Sequence, residues 1–72
     1  MKIDTLMELL PENYNFVDRE LVMKAYKFAE KAHENQTRAS GEPYITHCVS
    51  VAAILAELKV PPAVVISGLL HD

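Results

Sequence analysis

The sequence predicts an all-α fold, about four helices in an incomplete bundle, on three observations. Apolar residues recur at steps of three and four along nearly the whole chain, and no stretch shows the alternation of a strand. Prolines at 11, 61 and 62, with a cluster of turn formers at 35–43, divide that pattern into four segments. Half of the 72 residues are apolar, 24% are charged and two are glycine, a globular composition rather than a disordered or fibrous one.

Ile3, Leu6, Met7 and Leu10 make one face of a short first helix that Pro11 ends. A polar turn follows at 11–16. Asp18 is then the expected N-cap of a long second helix over about 19–34. Its buried stripe would be Leu21, Val22, Ala25, Phe28, Ala29 and Ala32, with Lys24, Lys27, Glu30 and Lys31 largely on the other side. Residues 35–44 read as an irregular loop, because Asn35, Gln36, Thr37, Ser40, Gly41 and Pro43 break the helical pattern.

A third helix is expected from Ile45 or Thr46 to Lys59, offering Val49, Ala52, Ala53, Leu55, Ala56 and Leu58 to the core. Pro61 and Pro62 suit the first turn of a fourth, where a missing N–H costs little. That helix is apolar almost all round until His71 and Asp72, as for a helix with neighbours on every side. No C-cap glycine or polar last turn follows, so the sequence reads as truncated, with self-association expected through the exposed last helix. Residues 1–18 form a lead-in helix and loop, and 19–72 the first part of a domain.

A net charge of −3 argues against a nucleic-acid surface and against an anionic membrane. Residues 1–10 lack the unbroken apolar run of a signal peptide, and the apolar stretch 60–70 is too short to span a bilayer. A cytoplasmic location is the expectation. Cys48 has no partner for a disulfide, which suits a reducing compartment. It reads as a small core residue rather than a nucleophile.

Three features could carry chemistry: the loop from Gln36 to Tyr44, His47, and the closing pair His71-Asp72. Singly none is decisive, since a histidine near a helix start is often only a capping or surface residue. His71 and Asp72 are more telling, because two ionisable groups ending an apolar helix need water, a salt bridge, a helix terminus or a metal. Imidazole and carboxylate together suit Mn²⁺, Fe²⁺ or Zn²⁺. His47, from another helix, would add a third direction and leave coordination positions open to water. Arg38, in a Gly/Pro-containing loop, could fork onto phosphate or stack on a base. His33 reads as a structural contact at the end of the second helix, and Gly41, Pro43 and Tyr44 as residues that shape the loop.

In order, the chain gives Ala25-Tyr-Lys-Phe-Ala29, His33, Gln36-Thr-Arg38, Ser40-Gly-Glu-Pro-Tyr-Ile-Thr-His47, Val51-Ala52 and Leu69-Leu-His-Asp72. This series, over roughly residues 20–72, closely resembles the hydrolase domain of the RelA/SpoT family of alarmone enzymes. The resemblance implies an HD-type helical fold, a Mn²⁺ ion, and hydrolysis of the 3′-pyrophosphate of ppGpp or pppGpp to GDP or GTP and pyrophosphate. It implies that His47, His71 and Asp72 ligate the metal, and that Arg38, with Ser40 beside it, contacts the guanine nucleotide. The lead-in is more like that of the long bifunctional synthetase/hydrolase members.

Two departures stand out. Ala39 occupies a position where the family often has a second basic residue. The family's acidic pair and fourth metal ligand lie beyond position 72, so these residues alone are expected to turn over little and to bind metal weakly. By the same resemblance, the intact His-Asp doublet implies a hydrolysis-competent parent. Two rival readings remain: an HD-type phosphohydrolase for another nucleotide, and a non-catalytic helical module in which these side chains are merely polar contacts.

Overall fold

A computed structural model describes residues 1–71. It contains α1 (Ile3–Leu9), α2 (Phe16–Ala32), α3 (Tyr44–Glu57) and α4 (Pro62–Leu70). Among the described residues the extended pairing is confined to one antiparallel bridge, Thr37 with Pro43, and the class is all-α.

Helix α1 stops where Leu10 turns extended, the conformation that a following proline favours. Leu6 and Leu10 are buried, and α1 packs on α3, so the lead-in contributes to the common core. The turn after it is held by its backbone carbonyls. Arg19 reaches back from α2, its Nε donating to Tyr14 O at 3.1 Å and its Nη2 to Pro11 O at 3.0 Å. Tyr14 is buried, and its hydroxyl donates to the Val60 carbonyl between α3 and α4. Burial, and then the nearby Asp18 charge, raises the Tyr14 pKa above its ordinary value.

The start of α2 corrects the sequence expectation. Asn15, not Asp18, is the N-cap, and Asp18 stands at N3. Asn15 Oδ1 accepts the Asp18 N–H at 2.8 Å, while Asp18 Oδ2 accepts the Asn15 N–H at 2.9 Å. This reciprocal arrangement satisfies two otherwise orphaned donors at once, which a lone Asp18 cap could not do.

The buried stripe of α2 is narrower than its apolar arc. Val22, Ala25 and Ala29 are buried, but Leu21 and Ala32 are exposed and Phe28 is 71% exposed. Stepping by three and four permits a broad stripe, whereas the neighbouring helices α3 and α4 cover only part of it. On α3 the buried residues are Cys48, Val49, Ala52, Ala53 and Ala56, with Leu55 half-buried. Leu58 was expected inside; it is the C-cap and 68% exposed, because the chain turns away through Lys59 at a left-handed φ of 58°.

Helix α4 starts with Pro62 at its first position and buries Val65, Gly68 and Leu69. It packs against both α2 and α3, while Val64 and Leu70 stay exposed. The most exposed large apolar side chains, Phe16, Phe28, Ile54 and Leu58, lie on α2 and at the distal end of α3. Helices α3 and α4 are joined by the short turn 58–61 and make the most extensive helix–helix contact. Folded back as a hairpin, they bring the start of α3 beside the end of α4.

Candidate metal and nucleotide site

That hairpin decides where the chemistry-bearing residues meet. His47 lies one turn into α3, and His71 caps the C-terminus of α4. Their ring centroids are 5.8 Å apart, edge to face at 71°. His71 Nδ1 lies 2.6 Å from the Gly68 carbonyl oxygen. A carbonyl only accepts, so Nδ1 carries a proton, which leaves Nε2 as the nitrogen that can offer a lone pair to a metal.

The loop supplies the third member. His33 is the C-cap of α2, its N–H donating to Ala29 O at 2.9 Å. Asn35 takes a left-handed φ of 68°, a conformation asparagine tolerates. The chain then doubles back, with Arg38 N–H donating to Glu42 O at 2.8 Å and Gly41 N–H to Arg38 O at 2.8 Å. Gly41 has φ 89°, where a side chain would be strained. Where sequence reading expected an irregular loop, the backbone groups pair with one another and form a narrow turn ending in the Thr37–Pro43 bridge. Pro43 caps α3, which begins at Tyr44.

This turn carries Arg38 to His47, its Nη1 lying 3.4 Å from His47 Nδ1. At 3.4 Å this contact is long and does not fix which ring nitrogen of His47 carries the proton. Arg38, His47 and His71 are therefore gathered at one end of the hairpin. Ser40 is exposed in the turn. Asp72, the third expected ligand, lies outside the described residues. Cys48 is fully buried, as expected of a small core residue.

The donor set has the chemistry of a borderline dication site in part. His71 offers Nε2, oriented by its Nδ1–H bond to a backbone carbonyl, the usual outer-shell arrangement of a metal-ligating histidine. Metal–nitrogen bonds of about 2.1 Å bring two ligating rings to a comparable spacing. Among the described residues no group of three His, Cys, Asp or Glu side chains is gathered. His47 and His71 supply two donors, and the fit of a third depends on Asp72.

Sequence reading assigned Tyr44 only to shaping the loop. Its ring also packs against His47, centroids 5.5 Å apart at 72°, and against His33 at 4.7 Å and 34°. The signal was present: positions 44 and 47 are i and i+3 on one helix face. Gln36 was likewise read only as a turn former, yet its Oε1 meets His33 Nδ1. An open groove of about 760 Å³ lies behind this loop, lined by residues that include Lys27, Glu30, Lys31 and Gln36, but not by Arg38, His47 or His71. Its lining mixes both signs of charge, and it is not the site described here. No helix among the described residues is long and apolar enough to cross a membrane.

Comparison with known proteins bears on the same residues. Residues 25–72 match the family model described as HD domain. A protein named probable GTP diphosphokinase, chloroplastic, from Oryza sativa subsp. japonica is 57% identical over 53 residues, 74% of this chain and 7% of its own length. The bifunctional (p)ppGpp synthase/hydrolase SpoT of Escherichia coli K12 is 59% identical over 49 residues, 68% of this chain and 7% of its own length. The same figures hold for the guanosine-3′,5′-bis(diphosphate) 3′-pyrophosphohydrolase of Escherichia coli O157:H7. The chain thus spans about 7% of the length of these relatives.

Proposed function

The chain belongs to the HD domain family, in its RelA/SpoT branch, and on that premise we propose that its protein hydrolyses the 3′-pyrophosphate of a guanosine alarmone, with Mn²⁺ as the metal. The observation that carries this reading is the approach of His47 to both His71 and Arg38, a pair of metal donors next to an anion- and base-binding group. The names of the two Escherichia coli relatives support the substrate class.

His47 and His71 would hold the ion together with Asp72. Bound there, a dication lowers the pKa of a coordinated water and neutralises charge on the phosphoryl group under attack. Arg38 would grip a phosphate with its planar fork or stack on the guanine, and Ser40 would offer a hydroxyl from the same turn. Holding the nucleotide by this loop would place its 3′-pyrophosphate over the two imidazoles, an orientation effect. Water would add at the phosphorus joined to O3′ and the O3′–P bond would break, giving pyrophosphate and GDP or GTP.

We assign the activity to a protein built at the length of the relatives, and expect little turnover from residues 1–72 alone. The test is Mn²⁺-dependent pyrophosphate release from ppGpp and pppGpp, with other nucleotides in parallel. Release from the alarmones by the long protein, abolished by chelation, is expected. Preference for an unrelated nucleotide would move the reading to another HD-type phosphohydrolase, and full activity after chelation would end it.

A further inference from the structure

The loop that bears Arg38 leaves α2 at His33 and rejoins helical structure at Tyr44, and those two residues meet ring to ring at 4.7 Å. Tyr44 sets its ring against His47, which in turn faces His71, so four rings stand in a row with neighbouring centroids 4.7, 5.5 and 5.8 Å apart. We propose that the His33–Tyr44 pair is a clasp that positions the His47 imidazole and the Arg38 turn relative to each other. The proposal deepens the reading of His47 as a metal ligand and rests on it, but it concerns two residues that reading does not use.

The neck of the loop is closed by one residue, Gln36, tied to both halves of the clasp. Its N–H donates to His33 O at 3.0 Å, and its own carbonyl accepts the Tyr44 N–H at 3.0 Å. Its side-chain Oε1 meets His33 Nδ1, and since an amide oxygen only accepts, His33 donates there. These three bonds fix the His33 ring and the start of α3 together, and the turn with Arg38 projects from that fixed neck.

His47 needs such support. The second side-chain torsion of histidine is broad, so packing decides which way its nitrogens point. Its polar contact with Arg38 is at 3.4 Å and exposed, too weak to set a ring plane. Tyr44, one helical turn back on the same face, meets the imidazole at 72°, an edge-to-face geometry that aromatic rings favour. Both His33 and Tyr44 are half-buried and stand outside the apolar core, so their pairing is not explained by core filling. A ligand ring held by its neighbours before the ion arrives binds more tightly than one that must be ordered on binding.

The test uses the 72-residue chain and the variants Tyr44→Leu, Tyr44→Phe and His33→Leu, with helicity from far-UV circular dichroism as the control. Without metal, imidazole nitrogen and proton resonances report the tautomer and ordering of His47; Mn²⁺ alone, added by titration to a protein of the relatives' length that carries the same variants, reports affinity. Wild type and Tyr44→Phe should show one ordered His47 ring. Tyr44→Leu and His33→Leu should show an averaged ring and bind Mn²⁺ about tenfold more weakly. Should Tyr44→Leu lose its helices, His33→Leu and Tyr44→Phe still decide. Unchanged His47 resonances and Mn²⁺ affinity in the leucine variants overturn the clasp, as does a Tyr44→Phe loss equal to that of Tyr44→Leu. If a protein of the relatives' length takes up no Mn²⁺ while the leucine variants disorder His47, the ligand reading fails and the clasp stands.

Discussion

Gly68 lies so close to α3 that a Cβ built on it would come 2.7 Å from Leu55 Cδ1 and 3.5 Å from the Ala52 Cα. This contact sets how near the two helices approach, and the same hairpin delivers His71 to His47. Because the Gly68 carbonyl also receives the His71 Nδ1–H, one residue serves both the packing and the ring orientation.

Substitution at Gly68 should therefore depend steeply on size. In Gly68→Ala the Leu55 tip must yield, and the gain in helix propensity of up to about 1 kcal/mol offsets that cost. Urea unfolding should show a change within about 1 kcal/mol. Gly68→Val presses further methyl groups towards Ala52 and should cost about 1–3 kcal/mol. Equal effects of the two would contradict the packing described.

Removing either imidazole should separate binding from folding, since His71 is exposed and His47 only half-buried. His47→Ala and His71→Ala are each expected to weaken Mn²⁺ binding at least about tenfold, as loss of a ligand or its support does. Far-UV circular dichroism should stay unchanged. Isothermal titration or the electron spin signal of free Mn²⁺ measures the first. Undiminished binding in both variants would remove the two histidines from the site.

Arg38 is expected to act on substrate rather than on metal. In a protein of the relatives' length, Arg38→Ala should raise KM for ppGpp about tenfold, the equivalent of about 1.4 kcal/mol, with a smaller change in kcat. Arg38→Lys should recover only part of this, because an ammonium lacks the planar fork. An effect confined to Mn²⁺ affinity would refute the assignment.

Tyr14 gives a prediction in pH. Its folded-state pKa is raised above 10.0 by burial first and by Asp18 second. The folded state therefore holds this proton more tightly than the unfolded chain does. The contribution is fully present below about pH 10 and lost as pH rises through the folded value. Thermal midpoints should fall across that alkaline window, and Tyr14→Phe should flatten this fall. At neutral pH the same variant should cost about 1 kcal/mol through the lost bond to Val60 O.

Asn15→Ala should cost about 1 kcal/mol, and Asp18→Ala a comparable amount, because each removes half of the reciprocal cap. The double variant should lose less than the sum, since either single change already leaves the box incomplete. Thermal or urea denaturation checks both statements.

The sequence by itself determined the four helices, their order and the prolines and turn formers that bound them, because local spacing, φ restriction and turn chemistry act over a few residues. It also marked Arg38, His47 and His71 by type and motif. It could not show that Asn15 rather than Asp18 begins α2, since both are good caps and the reciprocal bonds choose between them. Nor could it separate Val22, Ala25 and Ala29 from Leu21, Phe28 and Ala32, because periodicity names a face without saying how much of it a neighbour covers. The meeting of His47 with His71, and of Tyr44 with His33, belongs to the tertiary structure alone. It arises from the antiparallel return of α4 on α3 and the closure of the loop at Gln36, contacts between residues far apart in the chain that no local pattern encodes.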